Sequence, residues 1–147
     1  MLNRPGPEMT ARCREAAAND TSPRYRIMIV QDDFLLRMET AADLRQWGYD
    51  VVEAFSEAEA RRALHADRRI ALVLLDVNVG KDQSGLELAR WIGGHYPQTK
   101  LLLTAAVAPT ADGISVLAKP YRPLDLLQHI DALLAAQDAD QPDGEQR

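Results

Sequence analysis

The chain has 147 residues, enough for one domain with a core that folds unaided, and no second domain is expected. Its formal net charge of -5 carries no basic footprint of the kind nucleic acid requires, so direct DNA binding is not expected. A single cysteine, Cys13, excludes a disulfide framework and a thiol cluster for zinc. No apolar run approaches the ~20 residues of a membrane span or reads as a secretory signal, so a cytoplasmic protein without membrane attachment is expected.

Residues 1–23 hold Pro5, Gly6, Pro7 and Pro23 among small and charged residues and show no periodicity, which predicts a disordered tail. Beyond it, short apolar runs alternate with amphipathic stretches. Strands are predicted near 25–31, 50–54, 70–76, 100–105 and 115–119, with helical patterns between most of them, and that alternation indicates a parallel sheet covered by helices. The first helix sets Leu36, Thr40, Leu44 and Trp47 on one face and stops at Gly48, before Tyr49 starts the next strand. The second opens with Ser56 and Glu59, spaced as a capping box, and is expected to bury Ala60, Ala63 and Leu64. The third runs from about Ser84 with Leu86, Ala89 and Ile92 inward, and is expected to end at Gly93-Gly94 before Pro97. Between Thr104 and Lys119 lie only 14 residues. After the strand ends are subtracted Val107 to Ile114 remain, fewer than the ~10 that a covering helix with its connections needs, so the fourth crossover is predicted to be a loop or a single turn. The last helix starts at Pro123 and carries Leu126, Leu127, Ile130, Leu133 and Leu134; residues 137–147 read as a disordered acidic tail, leaving 24–136 as the domain.

Three apolar runs end in charge: Ile27-Met28-Ile29-Val30-Gln31-Asp32, Ala71-Leu72-Val73-Leu74-Leu75-Asp76 and Val116-Leu117-Ala118-Lys119-Pro120. Ligands of open parallel sheets bind outside the carboxyl ends of the strands, so two carboxylates and one ammonium are predicted to share a crevice. Two neighbouring carboxylates that stay ionised call for a cation. Mg²⁺ is the natural one, because it takes oxygen ligands from one or two carboxylates together with phosphate oxygens. Asp32 and Asp76 would supply those carboxylates. A phosphoryl group arriving at Asp76 would then have its charge offset by Mg²⁺ and Lys119, and the Thr104 hydroxyl would bond a further oxygen. Asp76 would be the nucleophile, forming an aspartyl phosphate.

Taken in order and at close to the right spacing, Ile29-Val30-Gln31-Asp32, Leu74-Leu75-Asp76, Leu102-Leu103-Thr104-Ala105 and Lys119-Pro120-Tyr121 resemble the receiver domain of two-component response regulators. The phrases Gly48-Tyr49-Asp50-Val51-Val52-Glu53-Ala54 and Ser84-Gly85-Leu86-Glu87-Leu88 extend the resemblance, which covers about residues 24–136. It implies an α/β fold of the flavodoxin-like (CheY-like) kind, a five-stranded parallel sheet flanked by helices, here with the fourth helix short or missing. It also implies Mg²⁺-dependent phosphoryl transfer from a histidine kinase or phosphotransfer protein to Asp76, with the backbone carbonyl of Asn78 as third protein ligand beside Asp32 and Asp76. Lys119 would contact the phosphoryl group, Thr104 would switch, and the Lys119-Pro120 bond is allowed to be cis.

Several residues depart from the family pattern. Gln31 replaces an acid; its amide can hydrogen-bond a metal-bound water but removes a charge, so weaker Mg²⁺ binding is predicted. Asp33 is weighed between a substitute ligand and a helix cap, with the cap favoured. The loop from Val77 to Gly85 is about a residue longer than usual, and Val116 stands where many receivers carry a switching aromatic. With the fourth helix short or missing, the usual output face is lost, and the Val107–Ile114 loop and the last helix are the candidate output surfaces. The predicted function is that of a stand-alone phosphoacceptor that signals through another protein or by onward phosphotransfer, not a metabolic enzyme; a homodimer is left open. The alternative is a degenerate receiver that binds a partner independently of phosphorylation. A Mg²⁺-dependent phosphatase is disfavoured by Asn78, where such enzymes generally want a second acid. Nucleotide binding lacks a glycine-rich loop after the first strand. His65, His95 and His129 read as surface residues, Trp47 and Trp91 as packing anchors, and Arg61, Arg62, Arg68 and Arg69 as a solvated face.

Overall fold

Parallel strands need crossovers, and strand order decides which strand ends stand side by side. The computed structural model describes residues 25–80, 84–106 and 113–140. Strands β1 (Arg26–Val30), β2 (Asp50–Ala54), β3 (Ile70–Asp76), β4 (Lys100–Ala105) and β5 (Ser115–Ala118) form one sheet in the order β2-β1-β3-β4-β5, with every neighbouring pair parallel. Among the described residues the helices are α1 (Phe34–Gln46), α2 (Glu57–Ala66), α3 (Ser84–His95) and α4 (Pro123–Asp140). This is the flavodoxin-like sheet that the sequence pattern implies. Its order reverses direction between β1 and β3, the position where such sheets open a crevice.

Alternate residues of each strand serve opposite layers. Ile27, Ile29, Leu72, Leu74, Leu102 and Leu117 pack with Ala41 and Leu44 of α1 and with Leu126, Ile130 and Leu134 of α4. Met28, Val30, Val73, Leu75 and Leu103 pack with Ala60 and Leu64 of α2 and with Leu88, Ala89 and Ile92 of α3. Burial on both faces is why β1 and β3 read as continuous apolar runs. Each fully buried Leu or Ile contributes about 1.5–3 kcal/mol relative to an exposed one.

The local signals work largely as their chemistry predicts. Asp33 caps α1, accepting from the Leu36 N–H at 3.0 Å, and Gly48 ends the turn after α1 at φ 99°. Ser56 accepts from the Glu59 N–H at 3.1 Å, while the Glu59 carboxylate reaches one residue past the cap, to the Phe55 N–H at 3.0 Å. Leu36 is 47% exposed, so the inward face of α1 is carried by Ala41 and Leu44 instead. Ala63, Leu86 and Leu133 are only partly buried.

Helix α3 passes through Gly93-Gly94 and ends at His95, contrary to the expected stop. Two glycines cost about 1 kcal/mol each in a helix. The next turn offsets that cost: the Tyr96 N–H closes on the Ile92 carbonyl at 2.7 Å, and Trp91 stacks on His95 at 4.6 Å between ring centroids. Helix α4 runs on to Asp140, through the first residues of the expected C-terminal tail.

Only residues 106–114 separate β4 from β5, and those of them that are described, Ala106, Gly113 and Ile114, are not helical. The rest of the expected loop, 107–112, lies outside the described residues, as do the N-terminal tail with Cys13 and residues 141–147. No described helix is long and apolar enough to cross a membrane.

Candidate functional site

Strand parity assembles the site. Gln31 continues the series Ile27, Ile29; Asp76 continues Leu72, Leu74; Thr104 follows Leu102; and Lys119 follows Leu117. All of these predecessors face α1 and α4, so the pleat sends four polar side chains to that side at the carboxyl edge of the sheet. The register of β3 and β4 pairs Asp76 directly with Thr104, which is 4% exposed. Lys119 directly follows β5, beyond β4, and its long side chain spans the intervening strand to put Nζ 3.1 Å from Asp76 Oδ2.

Asp76 is 7% exposed. Its Oδ2 accepts from Lys119 Nζ and, at 2.9 Å, from Gln31 Nε2, and its Oδ1 accepts from the Asn78 N–H at 3.0 Å. An ionised carboxylate this buried loses most of its hydration, and three donors, one of them a cation, replace it. Asp32 is exposed and its Oδ2 accepts from the Gly80 N–H at 3.2 Å. The two predicted acids thus hold successive points of one loop, Asp76 at Asn78 and Asp32 at Gly80. That loop is anchored from below by buried Val77 and Val79 and by the Val77 N–H on the Thr104 carbonyl at 3.0 Å.

Asp33 spends its carboxylate on the α1 cap, while its backbone N–H donates to Gln31 Oε1 at 3.0 Å. The Lys119-Pro120 bond is cis, and the Lys119 N–H extends the β4–β5 ladder to the Ala105 carbonyl at 2.8 Å. Tyr121 comes next. Burial, and after it the charge of Asp76, raise its phenol above the ordinary value of 10.0 against a lowering hydrogen bond with Thr40. A groove of about 610 Å³ beside the crevice is lined by Leu36 and Thr40 of α1, by Lys119, Pro120 and Tyr121, and by Leu126 of α4.

Two site features were not singled out from the sequence. Gln31 touches Asp76 directly instead of standing behind it, a contact that counting in twos from Ile27 and Ile29 would have signalled. Gly85 is the other. A Cβ there would lie 2.4 Å from the Asp76 carbonyl oxygen and 2.7 Å from both Val77 Cα and the Val77 oxygen, so only glycine lets α3 begin against the loop that follows Asp76.

Among the described residues no three His, Cys, Asp or Glu side chains converge to hold a metal. A divalent cation would find two carboxylates, Asp32 and Asp76, and would need backbone oxygen such as the Asn78 carbonyl, with phosphate oxygens or water completing the shell. That donor set is all oxygen, which suits Mg²⁺.

The sequence pattern of the response regulator receiver domain matches residues 27–131. The chain belongs to this family. The receiver is 30% identical over 118 residues to the transcriptional regulatory protein GltR of Pseudomonas aeruginosa, a match covering 74% of this chain and 48% of that protein. It is 28% identical over 119 residues to the transcriptional regulatory protein PdtaR of Mycobacterium tuberculosis, covering 76% and 58%. The receiver therefore spans about half the length of these curated relatives. Among solved structures it resembles a CheY-like response regulator receiver domain protein from Methanospirillum hungatei, at TM-score 0.72 and 26% identity, over 80% of this chain and 99% of that one. A response regulator receiver protein from Sinorhizobium medicae, at TM-score 0.70 and 21% identity over 78% and 97%, shares the fold.

Proposed function

We propose that this receiver accepts a phosphoryl group on Asp76 from a phosphohistidine of a kinase or phosphotransfer protein and passes the signal on through protein contacts. A carboxylate oxygen of Asp76 attacks phosphorus, the P–N bond breaks, and the imidazole keeps the electron pair. Lys119 offsets charge on the transferred group, and the Thr104 hydroxyl, next to Asp76 across the β3–β4 ladder, takes one of its oxygens as the switching contact. Mg²⁺ held by Asp32, Asp76 and the Asn78 carbonyl would supply further charge compensation. Asp33 and Pro120 act behind these groups, one capping α1 and the other shaping the turn that carries Lys119. The role is a signalling one; the transcriptional action in the relatives' names is not carried over to this chain.

One observation carries the reading: Asp76, the one buried acid among the described residues, lies at the carboxyl end of a central strand with a lysine ammonium 3.1 Å from its Oδ2. The test is incubation with Mg²⁺ and acetyl phosphate followed by intact-mass measurement. One added phosphoryl group is expected, and none on an Asp76→Asn variant.

Gln31 favours a second reading, that of a receiver that binds its partner without phosphorylation, because its neutral amide donates to Asp76 Oδ2 at 2.9 Å where an acid would repel that carboxylate. Wild-type protein that stays unmodified by both acetyl phosphate and a cognate kinase would establish that alternative.

A further inference from the structure

Every main hydrogen-bonding group of Gln31 is committed. Its backbone N–H donates to the Ala54 carbonyl at 3.1 Å, and its carbonyl accepts from Arg37 Nη1 at 2.9 Å. Its Oε1 accepts from the Asp33 N–H at 3.0 Å and its Nε2 donates to Asp76 Oδ2 at 2.9 Å. Arg37 is itself held by Glu53 of β2, with Nε 3.2 Å from Oε1. The amide has one orientation: flipping it would turn an oxygen toward the Asp76 carboxylate and a donor toward the Asp33 N–H, and both neighbours reject that. The Asp33 N–H takes one of the two lone pairs of the amide oxygen, and that bond fixes which way the amide faces.

The charges follow the same logic. Asp32, Asp76 and Lys119 sum to one net negative charge (two acids, one ammonium), whereas an acid at position 31 would make it two. A carboxylate 2.9 Å from the Asp76 oxygen would need a proton or a cation between them. The amide needs neither.

We propose that Gln31 is a positioning residue that holds the Asp76 carboxylate in place in the absence of a divalent ion and thereby makes the stability of the receiver only weakly dependent on Mg²⁺. The inference rests on Asp76 and Asp32 forming the metal-binding part of the site, but not on phosphoryl transfer itself. Its test accordingly reads stability and metal affinity, each separate from acetyl phosphate reactivity.

Thermal unfolding is measured in EDTA and in millimolar Mg²⁺, and Mg²⁺ affinity by calorimetry, for wild type, Gln31→Glu and Gln31→Met. Wild type should melt at nearly the same temperature in both solutions. Q31E, which keeps the shape and adds a charge, should melt roughly 5–10 °C lower in EDTA, recover in Mg²⁺, and bind Mg²⁺ roughly 10- to 100-fold more tightly. Q31M, which removes the donor without adding charge, should melt lower in both solutions, with Mg²⁺ affinity within about threefold of wild type. If Q31E does not fold in either solution, Gln31→Asp carries the same comparison. A wild type stabilised by Mg²⁺ as strongly as Q31E, or an acidic variant that is unaffected by EDTA and binds Mg²⁺ no more tightly, would overturn the proposal. A wild type that follows the expected pattern yet takes no phosphoryl group would leave Gln31's role standing and remove the phosphoacceptor reading.

Discussion

Gly85→Ala puts the architecture of the phosphoacceptor loop to a test whose sign is informative. Glycine near a helix start normally gains from replacement by alanine, by up to about 1 kcal/mol. At Gly85 the new methyl would meet three backbone atoms, at 2.4, 2.7 and 2.7 Å, none of which can rotate away as a side chain would. Relieving overlap of that kind costs about 1–3 kcal/mol. Moving α3 off the loop also strains the bond from the Gly85 N–H to the Val77 carbonyl, 2.9 Å long and worth about 1 kcal/mol. Against the propensity gain, a net loss of about 1–3 kcal/mol is expected. The same helix supplies controls, since a Cβ at Gly93 or Gly94 meets nothing within 4 Å. Each of those changes to alanine should stabilise by up to about 1 kcal/mol. Urea denaturation followed by tryptophan fluorescence gives the three values. Because the strained atoms belong to Asp76 and Val77, G85A should also slow labelling by acetyl phosphate. A G85A protein as stable as wild type, or G93A and G94A proteins as destabilised as G85A, would refute the reasoning.

Four further outcomes are expected. Lys119→Met should slow phosphorylation of Asp76 by roughly 10²-fold, the usual cost of removing a donor that meets developing charge, as read by intact mass against time. Asp76→Asn should lower the Tyr121 pKa toward 10.0 without bringing it fully there, because burial is the larger cause and the Asp76 charge the second; absorbance of the phenolate against pH reads this. Because the folded pKa lies above the unfolded one, Tyr121 favours the fold below pH 10.0 and loses that contribution as pH rises, so Tyr121→Phe should flatten the alkaline side of the stability profile. At Asp67 burial raises the pKa, but the Arg69 N–H and the Arg26 guanidinium outweigh it and hold the acid below 3.8. Its contribution is present above that pH and lost as pH falls through the lowered value, so Asp67→Asn should destabilise at neutral pH and match wild type in strong acid, measured by denaturation across pH.

Much of this was legible along the chain because it is local and periodic. Apolar runs bounded by turn residues marked all five strands. The Asp33 and Ser56 caps and Gly48 lie within one turn of the groups they satisfy, and the nine residues between β4 and β5 leave no room for a covering helix with its connections. The end of α3 is not legible at Gly93-Gly94 because propensity is a weak term, and the stacking of Trp91 on His95 with the Tyr96 N–H on the Ile92 carbonyl outweighs it. Contacts between distant residues were harder to see. That Asp76, Thr104 and Lys119 lie near the carboxyl ends of three apolar runs is a fact of sequence, but that Lys119 reaches over β4 to Asp76 depends on strand order. That Gln31 serves Asp76 while Asp32 serves Gly80 depends on which way the chain turns as it leaves β1.

The amino-acid order by itself determined the strands and most of their helices, since period-two and period-3.6 burial need only near neighbours, and its motifs carried the resemblance to the family. Tertiary structure alone decided which distant polar groups meet at the top of the sheet, because the bonds of Gln31 with Asp76, Asp76 with Lys119 and Gly80 with Asp32 join residues more than forty positions apart. Bonds of that length along the chain exist only once the register of the sheet has brought their partners within reach.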